Sequence, residues 1–123
     1  MTAPDPAGPF DVLSAITPAS PGVFHVELPA GWAQGRGLFG GLVVAVLTRA
    51  LEHGAEDRPL RSLTAEICGP VQPGPAELRV ETLRAGNAVT TATVRLVQGG
   101  EVQAHGVGVL GRARVADRDR VAL

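Results

Sequence analysis

Cysteine is nearly absent from this chain of 123 residues: Cys68 stands alone. One thiol can form neither an intramolecular disulfide nor a multi-cysteine zinc site, so a reducing compartment suits the chain. All eleven basic residues are arginine; they are scattered and offset by twelve carboxylates, for a formal net charge of −1. No basic stripe forms, which removes the electrostatic case for nucleic acid or a membrane surface as a partner. Long apolar runs are missing too. The longest, residues 38–47, has about half of the ~20 residues that a bilayer-spanning helix requires. Residues 1–9 have neither a basic start nor an apolar h-region, so they read as a loose leader and the expected location is the cytoplasm.

What is present describes one ordinary globular domain, 45% apolar and 19% charged. Residues 10–16 suit a short helical turn, which Pro18 and Pro21 end; Gly22 then releases the chain into a strand, Val23-Phe24-His25-Val26-Glu27-Leu28. A loop over residues 29–37 carries the single Trp32 and leads into one long helix from Leu38, with Gly54 as its stop and Arg49 and His53 in its last turns. This helix is apolar nearly all round until Thr48, which predicts burial on most sides. Strand-like segments follow at residues 60–71, 76–85, 89–98 and 101–110, separated by Gln72-Pro73-Gly74-Pro75, Gly86-Asn87 and Gly99-Gly100. They predict an antiparallel meander. In the second, Leu78, Val80 and Thr82 alternate with Glu77, Arg79 and Glu81, the period of a sheet with one dry face.

A strand, a buried helix and four strands joined by short turns require an antiparallel sheet that curls around the helix, the α+β architecture called the hotdog. The expected organisation is a leader over residues 1–22, a hotdog domain over 23–112, and a polar tail or linker over 113–123, where Asp117-Arg118-Asp119-Arg120 offers nothing to pack. No internal repeat is seen.

The stretch Gly37-Leu38-Phe39-Gly40-Gly41-Leu42-Val43-Val44, the Gln72-Pro73-Gly74 bend and Val80-Glu81-Thr82-Leu83-Arg84-Ala85-Gly86-Asn87 together resemble the type II acyl-CoA thioesterases. Within them they are similar to the N-terminal unit of the double-hotdog enzymes, over roughly residues 31–112. The resemblance implies a hydrolase of fatty acid metabolism that takes an acyl-CoA or acyl-pantetheine thioester at the interface of two hotdog units. The expected partner is a second copy, in a homodimer or higher oligomer, or a second hotdog unit. No cofactor or metal is implied beyond the coenzyme A of the substrate itself. The resemblance also implies an acyl chain lying along the central helix at Val43, Val44, Val46 and Leu47, beside Phe39.

Thioester hydrolysis needs a polarised carbonyl and an activated water. Gly40 and Gly41, expected to open the helix, suit the first need through free N–H groups at the positive end of the dipole, and equally suit close packing of helix on sheet. Where related hydrolytic units commonly carry Asp or Glu in mid-helix, this chain has Thr48, which is no ordinary base. The foremost substitute is Glu66, in what should be a central strand, against the plainer reading of a solvated carboxylate. His105 is next, with a surface histidine as the plainer reading. Glu52 and His53 read as solvated and Cys68 as a small core residue. Asn87 reads as a positive-φ turn residue or a neighbour of the pantetheine arm, and Arg84 and Arg36 as candidates for CoA phosphates. Two further readings stay open: a non-catalytic acyl-binding or scaffolding hotdog, motivated by Thr48, and a hotdog dehydratase or hydratase, for which Phe39 stands where a histidine would be expected.

Overall fold

The computed structural model describes residues 16–29, 36–55 and 57–112 and, within the helix, side chains from Gly40 onward. Residues 10–15 of the expected helical turn, Trp32, the side chains of Arg36 and Phe39, and the tail over 113–123 lie outside the described residues. The elements are β1 Thr17–Ser20, β2 Val23–Leu28, α1 Arg36–Glu52, β3 Leu60–Ile67, β4 Gly74–Ala85, β5 Val89–Gln98 and β6 Glu101–Gly111. The strands form one sheet in the order β1-β2-β4-β5-β6-β3, every neighbouring pair antiparallel.

Two features differ from the sequence reading. First, the sheet begins before Val23: Thr17 pairs with His25 and Pro18 with Phe24. A proline-flanked segment can act as a strand here because β1 is an edge, where a missing N–H costs no ladder bond. Second, β4, β5 and β6 form the expected meander but β3 is not part of it. The 72–75 bend carries the chain across to β4, leaving β3 paired only with β6 at the far edge. Gln98 holds that bend, with Nε2 donating to the Gln72 and Pro75 carbonyls and Oε1 accepting from the Gln72 N–H. The β5–β6 turn is as expected: Gly99 and Gly100 have φ of 58° and 80°, the two left-handed positions of a primed hairpin turn.

Leu42, Val43, Val46, Leu47, Ala50 and Leu51 of α1 are buried against Phe24, Leu28, Leu78, Val94 and Leu96 of the sheet. Each large apolar side chain so buried contributes roughly 1.5–3 kcal/mol. Burial on most sides was expected, yet Gly41, Val44 and Arg49 are exposed and Ala45 and Thr48 half-exposed, so one side of the helix lies uncovered. Over β6 the packing is tight. A Cβ at Gly108 would come within 2.7 Å of Leu51 Cδ1 and 2.9 Å of Leu60 Cδ1, and one at Gly106 within 3.1 Å of Leu63 Cδ1. Substituting Gly108→Val should therefore lower stability by about 1–3 kcal/mol through overpacking, read as a lower urea midpoint at unchanged slope.

Candidate functional site

Helix α1 starts at Arg36, two residues before the Leu38 start that the sequence suggested. Since an α-helix pairs N–H(i) with C=O(i−4), its free donors belong to residues before Gly40, and Gly40 and Gly41 lie in the second turn. Their contribution is clearance: Gly40 is half-buried, Gly41 exposed, and neither puts a side chain between the helix start and an approaching group. Ile67, at the end of β3, flanks them; a Cβ on Gly40 would touch its Cδ1 at 3.9 Å. Along the same open side of α1 come Val44, 41% exposed, then Ala45 and Thr48. Ile67 is 53% exposed, so an apolar surface runs from the helix start onto the free β3 edge. Val43 and Leu47, expected beside the acyl chain, are within the core at 1% and 0% exposure, leaving Val44 as the accessible wall.

The four residues considered for catalysis do not converge within one chain. Thr48 is seven residues beyond Gly41, about 10 Å along the helix axis at 1.5 Å per residue. Glu66 is on an edge strand, where a central one was expected, and on the other face of the sheet, since its neighbour Ile67 is the residue that meets Gly40. It stands in register with His105, then Arg95 on β5 and Arg79 on β4. That row faces away from the helix, and Arg79 donates to Glu77 at 3.0 Å. His105 is half-exposed there. Cys68 is exposed, and the Cys68 and Gly69 N–H groups both donate to the Gln103 carbonyl beyond the end of β3.

Arg84 and Asn87 sit at the opposite end of α1. The ladder Leu60–Leu110–Thr90–Ala85 aligns the β4–β5 hairpin with the end of the helix, not its start. Asn87 is not at positive φ; among the described residues only glycines are. Instead its backbone carbonyl is an anchor, accepting from Nη2 of Arg58 at 2.9 Å and from Nη2 of Arg112. Nη1 of Arg58 donates to the Gly86 carbonyl at 2.9 Å and to Thr90 Oγ1 at 2.8 Å. Glu52, expected to be solvated, is half-buried and accepts the Leu60 N–H at 3.0 Å, closing the link between α1 and β3. His53 is exposed and packs edge-on against Phe24, with ring centroids 4.9 Å apart. Sequence reasoning passed over Arg58, whose acceptors lie 28 to 32 residues away and leave no local signature.

Among the described residues no group of three or more His, Cys, Asp or Glu is placed to hold a metal ion, and no helix is long and apolar enough to cross a membrane. Among the described residues, an antiparallel sheet of six strands around one long helix, with one helix side exposed beside the β3 edge, defines a hotdog domain. Residues 28–111 match the family model of the acyl-CoA thioesterase N-terminal domain, and the chain belongs to that family. No curated protein sequence matches it. Among solved structures it is similar to a candidate thioesterase II from Thermobifida fusca, at 26% identity and a TM-score of 0.77, over 85% of this chain and 39% of that one. An acyl-CoA thioesterase II from Mycobacterium marinum gives 18% identity and a TM-score of 0.72, over 85% and 40%. A candidate thioesterase related to phenylacetic acid degradation, from Ralstonia eutropha, gives 20% and 0.64, over 89% and 92%. The chain thus spans less than half the length of the first two and most of the third.

The Arg58 cluster has a measurable consequence. Replacing Arg58 with Ala leaves the Gly86 and Asn87 carbonyls without that donor and should cost about 1–3 kcal/mol, with hydrogen-exchange protection falling first at the amides of Gly86 and Thr90.

Proposed function

We propose that this chain is one half of an acyl-CoA thioesterase, binding the thioester where the open side of α1 meets a second hotdog unit. The observation that carries the reading is the coincidence of two unmet requirements on one side of the molecule: an apolar helix surface at Val44 and an unpaired β3 edge ending in exposed Ile67. Pairing β3 with an equivalent strand satisfies the free N–H and C=O groups and covers both side chains in one step.

The pairing has a geometric consequence for chemistry. Two β3 strands related by a twofold axis run antiparallel, so the start of each α1 lies toward the hairpin end of its partner. The candidate groups that one chain holds at opposite ends are then brought to the same side. The free N–H groups of the first turn receive the thioester oxygen, Gly40 and Gly41 give it room, Val44 lies along the acyl chain, and Arg84 and Asn87 of the other unit lie toward the CoA arm. The only cofactor chemistry in this reading is the CoA carried by the substrate, and its setting is the cytoplasm.

The base is the unfilled role. Thr48 is about 10 Å from Gly41 and Glu66 faces away from the helix, which favours a second reading: this unit binds the acyl thioester and a partner unit supplies the residue that activates water. Thiol release from short, medium and long acyl-CoAs separates the two. The first reading expects release by the purified chain, lost in Ile67→Glu, which at the same time falls to monomer mass because a carboxylate in an apolar interface costs several kcal/mol. Saturable acyl-CoA binding without thiol release supports the second reading, and neither binding nor release overturns both.

A further inference from the structure

The core is filled along most of α1 and open at its end. Between the last turns of α1 and strands β2, β4, β5 and β6 lies a cavity of about 280 Å³. Phe24, Ala50, Leu51, Val80, Ala92 and Leu110 give it apolar walls, and Thr82, Thr90, His53 and Arg58 add polar groups. Two positions explain why space remains. Ala50 and Ala92 are buried where their neighbours on the same elements are Leu47 and Leu51 on the helix and Val94 and Leu96 on β5. A methyl group at each leaves open the volume that a larger side chain would fill.

The polar groups carry a definite charge. Arg58 uses three of its five N–H groups on Gly86, Asn87 and Thr90 and turns its Nε toward Asp57, which fixes its guanidinium at the cavity and leaves one Nη2 N–H over. Arg112 donates to the same Asn87 carbonyl, so two guanidinium groups meet on one oxygen and stand within a few ångströms of each other. The described carboxylate in ion-pair range of Arg58 is Asp57, at 3.6 Å with its side chain 65% exposed. Like charges this close repel, and an anion lodged beside them relieves that repulsion and takes up the remaining donors. A carboxylate suits the remaining Nη2 N–H of Arg58, with which it forms a charge-assisted hydrogen bond.

We propose that this cavity is a second binding site, separate from the open side of α1, for a small apolar carboxylate. Its hydrocarbon lies among Phe24, Leu51, Val80 and Leu110 and its head group lies toward Arg58, with Arg112 behind it on the shared Asn87 carbonyl. The volume is just under the usual range of small-molecule pockets, which limits the ligand to a short or medium alkyl chain or a single ring. The pocket is lined by one chain and lies away from its own helix start, while its Arg58 end adjoins Asn87, proposed above to lie toward the CoA arm, so its ligand is tested without acyl-CoA.

Titration of octanoate into the full chain, followed by amide chemical shifts, tests this. The expected result is a saturable change at Ala50, Thr82, Thr90 and Ala92, with octanol at least about tenfold weaker for want of the charge, and Arg112→Gln weaker by a similar factor. Ala92→Leu, which fills the cavity, should abolish binding while cooperative unfolding persists. Thr82→Leu, at an exposed position on the same wall, serves if the first variant does not fold. The proposal is overturned by an absence of saturable change, by octanol binding as well as octanoate, by full binding in the filled variants, or by changes confined to Gly40, Gly41, Val44 and Ile67.

Discussion

The arrangement depends on how closely α1 can lie against β6. At Gly106 and Gly108 the strand has no side chains on its inner face, and the space is taken by the ends of Leu47, Leu51, Leu60 and Leu63. The helix therefore sinks into the sheet, and strands on both sides of β5 and β6 reach it, β3 from one side and β4 from the other. A sheet held at a greater distance would leave Val46 and Leu47 with too few partners to be buried. The same closeness turns the other side of α1 outward: the two buried faces use up Leu42, Val43, Val46, Leu47, Ala50 and Leu51, and what remains is Gly41, Val44, Ala45 and Thr48.

The two ends of α1 are built differently. Among the described residues, Gly40 and Gly41 stand near its start, with Ile67 from an edge strand beside them. Its end is crowded with polar fastenings: Glu52 holds the Leu60 amide, Arg58 ties the connecting segment to the β4–β5 hairpin, and Arg112 ties the last strand to that same hairpin. These bonds make one unit of the α1–β3 link, the hairpin and the end of β6. Among the described residues the polar fastenings lie at one end, and exposed Val44 and Ile67 toward the other.

Much of this was legible in the sequence where the signal is local. The unbroken apolar run after Gly41 gave the helix, alternation in Glu77-Leu78-Arg79-Val80 gave a half-dry strand, and Gly99-Gly100 gave a hairpin turn. What was not legible depends on contacts far apart in sequence. The composition of residues 72–75 marks a bend but does not say whether the next strand lies alongside or across the sheet; here β3 has β6 as its neighbour. Pro18 and Pro21 read as breakers because sequence alone does not reveal that the segment between them is an edge. The candidate site suffered most, because its membership is set by which face and which end each residue reaches. Thr48 and Glu66 have suitable positions in a linear motif and are separated by a helix turn count and a sheet face in space. Arg58, with no motif around it, gathers more acceptors than any residue singled out beforehand.

The two margins of the sheet are unequal. On one side β1 is four residues long, carries Pro18 and loses register between Pro18 and Ser20; on the other β3 runs for eight residues without a proline. A blunted margin cannot template another strand, whereas the straight one can. Were two copies to join through β3 as proposed above, the pairing would use the one unblunted margin among the described strands, and growth would stop at two units. With both margins competent, the same chain could add subunits end to end into a fibre, and Pro18 stands on the margin that would have to take part.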